Sequence, residues 1–373
     1  MTTARILIIA GSDSGGGAGI QADIKTVTML GGHAMTAITA ITAQNTLGVQ
    51  AVHPVPTAMV LAQIDSVVND IGVDAVKIGM IGSAETALAV GERLESIAAP
   101  VVLDPVMIAT SGGVLADAAT IESMHELMGW AFVTTPNLPE LEALGGEAAL
   151  TARGEMLLVK GGHAPGPVIT DRLVGPEGEV ARWDGSRIET DDSHGTGCTL
   201  ASAIATGLGQ GLDLPEAIER ARTFVRLALR EAPELGGGHG PMGQGKVRLD
   251  LGETMRLNQL SVPVRDLTAS RGFYEELGLR LIMSDPDLPY ARFVAPGGAT
   301  LSLFGADHAL YFECDDLDGR VAALQSVGFL FDSEPVDQPW GWREAWLVDP
   351  AGNRVCLYSA GENRRYPPLR SDR

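Results

Sequence analysis

Short apolar runs alternate with longer segments of helical spacing up to about Ala232, and this alternation constrains the fold more than any other feature of the chain. Strands that alternate with helices form a mainly parallel sheet covered by helices on both faces, which predicts an α/β domain. Ligands of such sheets bind beyond the carboxyl ends of the strands, so motifs at these ends carry the most weight. The predicted buried strands are Arg5–Ala10, Ala75–Ile78, Val101–Asp104, Phe132–Thr134 and Met156–Lys160.

A change of composition at residues 236–252 indicates a domain boundary. This segment contains seven Gly and one Pro, residues that interrupt helices and strands. The chain of 373 residues is long enough for two domains. We therefore expect a first domain at residues 1–245, a linker at 246–256, a second domain at 257–360 and a disordered tail at 361–373.

Two rough copies of one β-α-β-β-β unit follow this boundary and predict an α+β domain. In the first copy the predicted elements are the strand Gln259–Val264, the helix Leu267–Leu277 and the strands Arg280–Met283, Tyr290–Val294 and Thr300–Phe304. In the second copy they are the strand Leu310–Cys314, the helix Leu317–Val327 and the strands Phe329–Phe331, Trp342–Val348 and Arg354–Tyr358.

Charge and cysteine content narrow the possible partners and the compartment. With 47 acidic against 27 basic side chains the net charge is −20, and a field of this sign repels nucleic acid and anionic lipid. No apolar run approaches the roughly 20 residues of a membrane-spanning helix, and the N-terminal run is more typical of a buried strand than of a signal peptide. Three widely spaced cysteines indicate neither a disulfide framework nor a clustered zinc site. We expect a cytoplasmic protein with small-molecule partners.

A glycine-rich loop, Gly11–Gly19, follows the first predicted strand and leads into a helix that begins at Ile20. Glycines allow a ligand to approach the backbone closely, and the start of a helix offers unpaired amides to an anion. No Gly-Lys-Ser or Gly-Lys-Thr closes the loop, so it is not the phosphate loop of the P-loop enzymes.

A second glycine-containing segment, Asp192–Thr199, leads into the apolar helix Leu200–Leu208. Successive amides at Gly195-Thr196-Gly197, together with the helix dipole, predict an anion hole suited to a phosphate in transfer. Cys198 lies where this dipole is expected to lower the pKa of a thiol.

Seven motifs in order resemble those of the hydroxymethylpyrimidine/phosphomethylpyrimidine kinases of thiamin biosynthesis, a family of the ribokinase-like superfamily. They are Gly11–Asp23, Ala43–Thr46, Lys77–Met80, Leu103–Met107, Thr135–Glu140, Val159–His163 and His194–Cys198. The resemblance implies a ribokinase-like fold with a central, mainly parallel sheet. It also implies ATP-dependent phosphorylation of 4-amino-5-hydroxymethyl-2-methylpyrimidine, and then of the resulting monophosphate.

The same resemblance assigns roles at the pyrimidine end of the site. Residues that match Asp23 and Gln44 hydrogen-bond the aminopyrimidine in the family, and those that match Met80 and Val106 wall the ring. A carboxylate and an amide suit the donor and acceptor edge of an aminopyrimidine. Gly11 completes the predicted substrate-binding set.

At the phosphate end, the resemblance predicts that the Cys198 thiolate accepts the hydroxyl proton and that Lys160 neutralises charge on the transferred phosphoryl group. Asp104 and Glu140 are the expected carboxylates for Mg²⁺. The residues expected to contact ATP or form the anion hole are Asn137, His163, Gly195, Thr196 and Gly197.

One connection departs from the family pattern. Only Gly145–Glu155 separate two motif-bearing segments, and eleven residues barely meet the minimum for a parallel crossover. We predict a single helical turn at Glu147–Ala152. The strand Met156–Lys160 is then expected to be covered incompletely by its own connection and to need the C-terminal domain or a second subunit.

The second domain resembles the vicinal oxygen chelate superfamily, which includes glyoxalase, bleomycin-resistance and dioxygenase proteins. The motifs that carry this resemblance are Leu260–Leu267, Phe273–Leu279, Glu313–Asp318 and Asp349–Arg354. Metal ligands of these enzymes match Gln259, the strand Thr300–Phe304, Ala309 and Cys356, where this chain has neither His nor a carboxylate. His308 lies one residue away, which on a strand points to the opposite face. We expect a metal-free binding module in which aromatic side chains could enclose a small flat ligand by burial and stacking. These side chains are Phe304, Tyr311, Trp340, Trp342 and Trp346.

Two other functions remain open from the sequence. A pyridoxine or pyridoxal kinase is the alternative within enzymes, because vitamin B6 is also a flat heteroaromatic molecule with a hydroxymethyl group. A ligand sensor or drug-sequestering protein with a vestigial kinase half is the alternative from another class. The joint presence of Lys160, Cys198, Asp104 and Glu140 disfavours this second alternative. Both families commonly dimerise, so we expect a homodimer.

Overall fold

The chain divides into two units, Met1–Asp250 and Leu251–Arg373, which are described separately below. The computed structural model describes residues 3–107, 117–247, 256–285, 290–295, 298–304, 309–314, 316–350 and 352–364. Of the predicted linker, residues 248–255 lie outside the described residues. At its two ends, a 3₁₀ turn at Gln244–Lys246 belongs to the first unit, and Arg256 already begins a strand of the second.

The first unit contains nine strands and eight α-helices in its described part. The strands are β1 (Arg5–Asp13), β2 (His33–Asn45), β3 (Gly48–Pro54), β4 (Ala75–Ile78), β5 (Val101–Leu103), β6 (Val133–Thr134), β7 (Leu157–Val159), β8 (Val168–Gly175) and β9 (Gly178–Ser186). The helices are α1 (Gly19–Met29), α2 (Thr57–Asp70), α3 (Ala84–Leu94), α4 (Ala118–Met128), α5 (Leu138–Ala143), α6 (Glu147–Ala152), α7 (Thr196–Gly209) and α8 (Leu214–Arg230).

All nine strands form one sheet in the order β3-β2-β1-β4-β5-β6-β7-β8-β9. The six central strands, β2 to β7 in this order, pair in parallel, whereas β3, β8 and β9 pair antiparallel to their neighbours. The predicted α/β class with a mainly parallel sheet is confirmed. Because the central strands run in one direction, their carboxyl ends meet at one edge, where the predicted site motifs lie.

Both faces of the sheet are covered, which explains why the central strands are almost continuously apolar. On one face, Leu7 and Ile9 of β1 pack in a buried cluster with Val60 and Ile64 of α2 and with residues of α3 and α4. On the other face, α7 packs against β1, β4 and β5 and against the flanking helices α1 and α8. Ligands therefore reach this sheet at its carboxyl edge.

The short connection before β7 covers its strand more completely than predicted. The helical turn expected at Glu147–Ala152 is present as α6. Leu150 of α6 and Leu141 of α5 pack in one buried cluster with Leu157 and Val159 of β7. The expectation that this strand needs the C-terminal domain or a second subunit is therefore wrong, because the cluster contains only residues of the first unit.

The second unit contains eight strands and two α-helices in its described part. The strands are β10 (Arg256–Pro263), β11 (Arg280–Asp285), β12 (Tyr290–Val294), β13 (Thr300–Phe304), β14 (Ala309–Glu313), β15 (Val336–Asp337), β16 (Arg343–Val348) and β17 (Arg354–Ser359). The helices are α9 (Leu267–Glu276) and α10 (Leu317–Ser326), and a 3₁₀ turn follows at Gly361–Arg364.

The strand order β11-β12-β13-β10-β14-β17-β16-β15 shows the predicted duplication. Each copy contributes four strands in the same relative order, and the first strands of the two copies, β10 and β14, pair antiparallel at the centre. One predicted strand is wrong. Of Phe329–Phe331 only Phe331 makes an isolated bridge, to Leu347, and the edge strand of this copy is β15.

The predicted disordered tail is wrong for its first four residues. They form the 3₁₀ turn, in which Arg364 Nη1 donates to the Gly298 carbonyl oxygen at 2.6 Å and Nε lies 3.2 Å from Glu313 Oε2. Residues 365–373 lie outside the described residues. Within the described ranges, no helix is long and apolar enough to cross a membrane.

Candidate active site

A cavity of about 860 Å³ opens at the carboxyl edge of the first sheet. It brings together most of the residues predicted from the sequence, although they are spread over some 190 positions. Those that line it are Gly11, Gln44, Met80, Asp104, Val106, Asn137, Glu140, Lys160, His163, Gly195, Thr196, Gly197 and Cys198.

The glycine-rich loop after β1 differs from the expectation that its amides are free for an anion. The Gly15 N–H donates to Asp13 Oδ1, and the N–H groups of Gly17 and Ala18 donate to Asp13 Oδ2, at 2.8 to 3.0 Å. The Gly16 N–H donates to the Asp13 carbonyl oxygen. A carboxylate from the same loop thus occupies the position that an anion would take, so this loop is not a phosphate site.

The same carboxylate is held ionised by its partners. Burial of Asp13 alone would raise its pKa, but hydrogen bonds from His194 and from the Ala18 and Gly15 amides outweigh burial and lower the pKa. His194 Nε2 lies 3.0 Å from Asp13 Oδ2, and a Cβ atom at Gly17 would collide with the His194 ring. Gly17 is therefore required for this close contact.

The start of α7 fits the predicted anion hole. Gly195 adopts φ = +86°, and a Cβ atom there would collide with the Gly17 backbone, so this turn needs glycine. The Thr196 N–H donates to the Ser193 carbonyl oxygen at 3.3 Å, whereas the first-turn amides of Gly197 and Cys198 have no carbonyl partner within the helix. The positive end of the α7 dipole therefore faces the cavity.

Beside this helix start lies a cluster of opposite charges. Lys160 Nζ donates to Asp104 Oδ1 at 2.9 Å and lies 3.7 Å from Glu140 Oε2. Burial alone would lower the pKa of Lys160, but the two carboxylates outweigh it and raise the pKa, so the ammonium is charged at neutral pH. A Cβ atom at Gly197 would lie 3.3 Å from Asp104 Oδ2 and 3.4 Å from Lys160 Nζ. The glycine leaves space between the helix and the cluster.

Asn137 and Glu140 have a structural role besides the predicted ones. The Asn137 side chain accepts from the Glu140 N–H at 2.9 Å, and Glu140 Oε2 accepts from the Asn137 N–H at 2.8 Å, which forms a capping box at the start of α5. This cap holds Glu140 beside Lys160. The pKa of the Glu140 carboxyl is raised, mainly because the group is buried.

Asp104 and Glu140 are suited to Mg²⁺, which is commonly held by one or two carboxylates together with substrate phosphates and water. Both carboxylates lie within 3.7 Å of the Lys160 ammonium group. A Mg²⁺ ion beside Lys160 could therefore be held by either carboxylate. Among the described residues no group of three His, Cys, Asp or Glu could hold a metal. Phosphate oxygens and water would have to supply the remaining ligands.

Cys198 differs from the expected low-pKa thiol. It lines the cavity, yet burial raises the pKa of its thiol to about 12, only partly opposed by Lys77, while Asp23 and Asp104 raise it further. Desolvation by the surrounding protein is the largest cause of the shift, and a hydrogen bond from the Gly19 backbone opposes it only in part. The thiol is therefore protonated at neutral pH.

Asp23 does not line the cavity as predicted. Its side chain is 0% exposed, and its carboxylate accepts from Lys77 Nζ at 2.9 and 3.0 Å and from Ser202 Oγ at 2.7 Å. The bond from Ser202 Oγ links Asp23 to α7. The sequence offered no sign that Lys77 pairs with it.

Sequence reasoning also missed the lining of the far end of the cavity. Ile169 on β8, Ile188 after β9, and Val225 and Leu229 on α8 form an apolar wall there. His163 lies near this end, and burial together with the charges of Lys160 and Arg187 lowers its pKa. The spacing of Val225 and Leu229 on one helix face could have indicated the wall.

The second unit places its predicted metal positions as follows. Gln259 Oε1 accepts from Thr300 Oγ1 at 2.9 Å, and Cys356 is buried, which raises its pKa. Ala309 is buried in β14, and His308 lies outside the described residues.

Of the aromatic residues expected to enclose a ligand, Trp342 is buried in the core of the second unit. Its ring stacks on that of Tyr358, with ring centres 4.4 Å apart.

The first unit has the fold of vitamin kinases of known structure. A Bacillus subtilis pyridoxal kinase in an ADP complex is 30% identical with a TM-score of 0.61, over 67% of this chain and 100% of that one. A phosphomethylpyrimidine kinase from Clostridium difficile is 37% identical with a TM-score of 0.52, over 61% of this chain and 99% of that one.

The chain belongs to the phosphomethylpyrimidine kinase family, whose model matches residues 13–243. A hydroxymethylpyrimidine/phosphomethylpyrimidine kinase of Rhizobium meliloti is 46% identical over 260 residues, 64% of this chain and 96% of that protein. The thiamine biosynthesis bifunctional protein ThiED of Geobacter sulfurreducens is 47% identical over 254 residues, 64% of this chain. The matched region spans 51% of that fusion protein's length.

Residues 256–357 match the glyoxalase/bleomycin resistance protein/dioxygenase superfamily. Both family predictions made from the sequence are thereby confirmed.

Proposed function

We propose that the first unit uses ATP to phosphorylate the hydroxymethyl group of 4-amino-5-hydroxymethyl-2-methylpyrimidine, and then the phosphate of the monophosphate. Family membership and the names of the relatives support this activity. Complexes of similar kinases with ADP and AMP-PCP support ATP as the phosphoryl donor.

The observation that carries the proposal is the space at Gly197. It lies between the first-turn amides of α7, the ammonium of Lys160 and the carboxylate of Asp104. Amides and a lysine attract the phosphoryl group, and the carboxylates can hold its counterion. Gln44 and Met80 line one end of the same cavity and the apolar wall of α8 lines the other, so an alcohol and a nucleotide can meet there.

In the reaction, the hydroxymethyl oxygen would form a bond to the γ-phosphorus while the bond from that phosphorus to the bridging oxygen breaks and ADP leaves. Lys160 and the α7 amides would stabilise the charge on the equatorial oxygens. Mg²⁺, held by Asp104 and Glu140, would neutralise phosphate charge.

The pKa of about 12 changes the role proposed for Cys198. A protonated thiol is a poor proton acceptor before transfer begins. Phosphoryl transfer through a loose transition state needs little negative charge on the attacking oxygen. We therefore propose that Cys198 hydrogen-bonds and positions the hydroxyl group, and that the proton leaves late, to an oxygen of the transferred phosphoryl group.

The test is turnover of the full chain with Mg²⁺ and ATP, followed by ADP release and by mass spectrometry of the product. The aminopyrimidine alcohol and its monophosphate should each gain one phosphate. Absence of product with both compounds would reject the proposal.

A second candidate, a pyridoxine or pyridoxal kinase, is favoured by the fold comparison with pyridoxal kinases at 30 to 31% identity and TM-scores near 0.60. An assay with pyridoxine in parallel with the aminopyrimidine distinguishes the two candidate functions. A higher kcat/KM for pyridoxine than for the aminopyrimidine would make a pyridoxine kinase the better assignment.

For the second unit we propose a metal-free binding module. The bonds already made by Gln259 and the burial of Cys356 leave poor ligands at the matched positions. Elemental analysis after exposure to Ni²⁺, Fe²⁺, Zn²⁺ and Mn²⁺ should find none at stoichiometric amounts; retention of one with glyoxalase or dioxygenase turnover would reject it. The homodimer expected from the sequence stays a prediction. Light scattering of the purified protein would test it.

A further inference from the structure

The glycine-rich loop and His194 surround one residue of the cavity, Gln44, on several sides. The Ser14 hydroxyl donates to the Gln44 carbonyl oxygen at 2.8 Å, and the Gln44 N–H donates to the Ser14 hydroxyl oxygen at 2.8 Å. The Gln44 side-chain amide lies 3.1 Å from His194 Nε2 and 3.2 Å from Thr42 Oγ1. Main chain and side chain are thus both held in place.

The hydrogen on His194 can be located from its partners. Asp13 Oδ2 already accepts from two backbone N–H groups, at Gly17 and Ala18, so this oxygen is an acceptor. His194 Nε2, 3.0 Å away, must then carry a hydrogen and donate it, because a bare nitrogen would place its lone pair against a carboxylate.

This hydrogen decides which end of the Gln44 amide faces His194. The oxygen and nitrogen of an amide are assigned from the hydrogen bonds they make. An amide nitrogen 3.1 Å from His194 Nε2 would bring two N–H groups together. An amide oxygen at this position can instead accept the same His194 hydrogen that Asp13 Oδ2 accepts. The amide nitrogen then faces the Thr42 hydroxyl, whose own hydrogen goes to the Ser12 carbonyl oxygen at 3.0 Å. Each of these contacts then joins a donor to an acceptor, whereas His194 Nδ1 is buried without a hydrogen-bond partner among the described residues.

These bonds use one lone pair of the amide oxygen and one hydrogen of the amide nitrogen. One acceptor and one donor remain, in a fixed order, on a residue that lines the cavity. An amino group next to a ring nitrogen offers the complementary donor and acceptor side by side. Pyridoxine does not, since its ring hydroxyl and ring nitrogen are not adjacent.

We propose that His194 is a positioning residue for substrate specificity: held by Asp13, it fixes the direction of the Gln44 amide, so that the cavity selects a ring with adjacent amino and nitrogen groups. This proposal rests on the proposed function and deepens it. The glycine-rich loop then serves to recognise the alcohol substrate, through Asp13, Ser14 and the space at Gly17 for the His194 ring.

The test compares the full chain with His194→Leu and with His194→Gln, whose amide nitrogen can reach about the same point as His Nε2. The measured quantity is the ratio of kcat/KM for the aminopyrimidine to that for pyridoxine, together with the Kd of each compound by calorimetry without ATP. His33→Leu, at an exposed histidine on β2, is the matched control. Thermal unfolding checks that each variant is folded.

We expect His194→Leu to lower the ratio by about 10- to 100-fold, mainly through a higher KM for the aminopyrimidine, since small misplacements in a site have effects of this size. His194→Gln should restore most of the ratio, and His33→Leu should leave it unchanged. Thr42→Val, which removes the partner of the amide nitrogen, should lower the ratio by roughly 3- to 10-fold.

A folded His194→Leu variant with a ratio within about twofold of the wild type would overturn the proposal, as would equal losses for both compounds. If His194→Leu does not fold, Thr42→Val decides in the same way. Absence of turnover with either compound in the wild type would instead reject the proposed function, and the Kd ratio would still test the role of His194.

Discussion

Two glycine-containing loops of the first unit lead into helices, and their sequences predict the same property for both, a set of free amides for an anion. The structure separates them. In the loop before α1 the amides of Gly15, Gly17 and Ala18 donate to Asp13, whereas at the start of α7 the first-turn amides face the cavity beside Lys160. Because Asp13 occupies the amides of the first loop, we assign this loop to the support of Gln44 and propose that the phosphate site lies at the second loop.

The largest expected difference concerns one lysine beside each loop. Lys160→Met should lower kcat by roughly 10³-fold with little change in the KM of the pyrimidine, because its charge acts on the phosphoryl group in transfer. Lys25, whose Nζ donates to the Gly16 carbonyl oxygen, is the matched control, and Lys25→Met should change kcat by less than about threefold. Steady-state kinetics of both variants measures this. An effect of Lys160→Met confined to KM would mean that Lys160 only holds substrate.

Next in size are two glycine substitutions. Gly197→Ala fills the space beside Asp104 and Lys160 and should lower kcat by about 10²-fold without loss of stability, since alanine is favourable in a helix. Gly17→Ala pushes on the His194 ring and should instead lower stability by about 1–3 kcal/mol and raise the KM of the pyrimidine. Kinetics and denaturant unfolding of both variants separate the two loops. Equal effects on kcat would contradict their different roles.

A smaller effect is expected at Cys198. Burial raises the pKa of the thiol to about 12, so the neutral thiol predominates at pH 7. Cys198→Ala should therefore lower kcat by only about tenfold, the cost of losing a positioning contact. Because the pKa of the thiol is raised, the rate of its alkylation by iodoacetamide should still be rising above pH 9. A loss of 10²- to 10⁴-fold with an alkylation plateau below pH 9 would restore the thiolate base.

The smallest effect concerns the carboxylate that closes the first loop. The pKa of Asp13 is lowered in the folded protein, so its stabilising contribution is present above its usual value of about 3.9 and is lost as the pH falls through the lowered value. Asp13→Asn should cost about 1–2 kcal/mol at pH 7 and flatten the fall in melting temperature below pH 4. An unchanged melting temperature at pH 7 would contradict the role of Asp13.

Much of the fold was predictable because strand and helix periods differ along the chain, and Ala75–Ile78 and Tyr290–Val294 appear with the predicted bounds. The errors arise where local pattern competes with distant contacts. Phe329–Phe331 is apolar but makes only one isolated bridge, and the tail residue Arg364 is ordered by Glu313 and Gly298.

At the site, the motifs located the cavity, but partners far apart in sequence decided the chemistry. Asp23 pairs with Lys77, 54 positions away, and is fully buried. His194 meets Asp13 across 181 positions. Burial of Cys198 reverses the effect expected from its helix, and no single-sequence pattern reports desolvation.

The different roles of the two loops can be seen in a crystal structure of the full chain with ADP, aluminium fluoride, Mg²⁺ and the aminopyrimidine alcohol. The aluminium fluoride, which takes the place of the transferred phosphoryl group, should lie at the start of α7, within hydrogen-bond distance of the Gly197 amide and Lys160 Nζ. The Gly15–Ala18 amides should remain bonded to Asp13. Aluminium fluoride bound by the amides of Gly15–Ala18, with Asp13 displaced, would contradict this assignment.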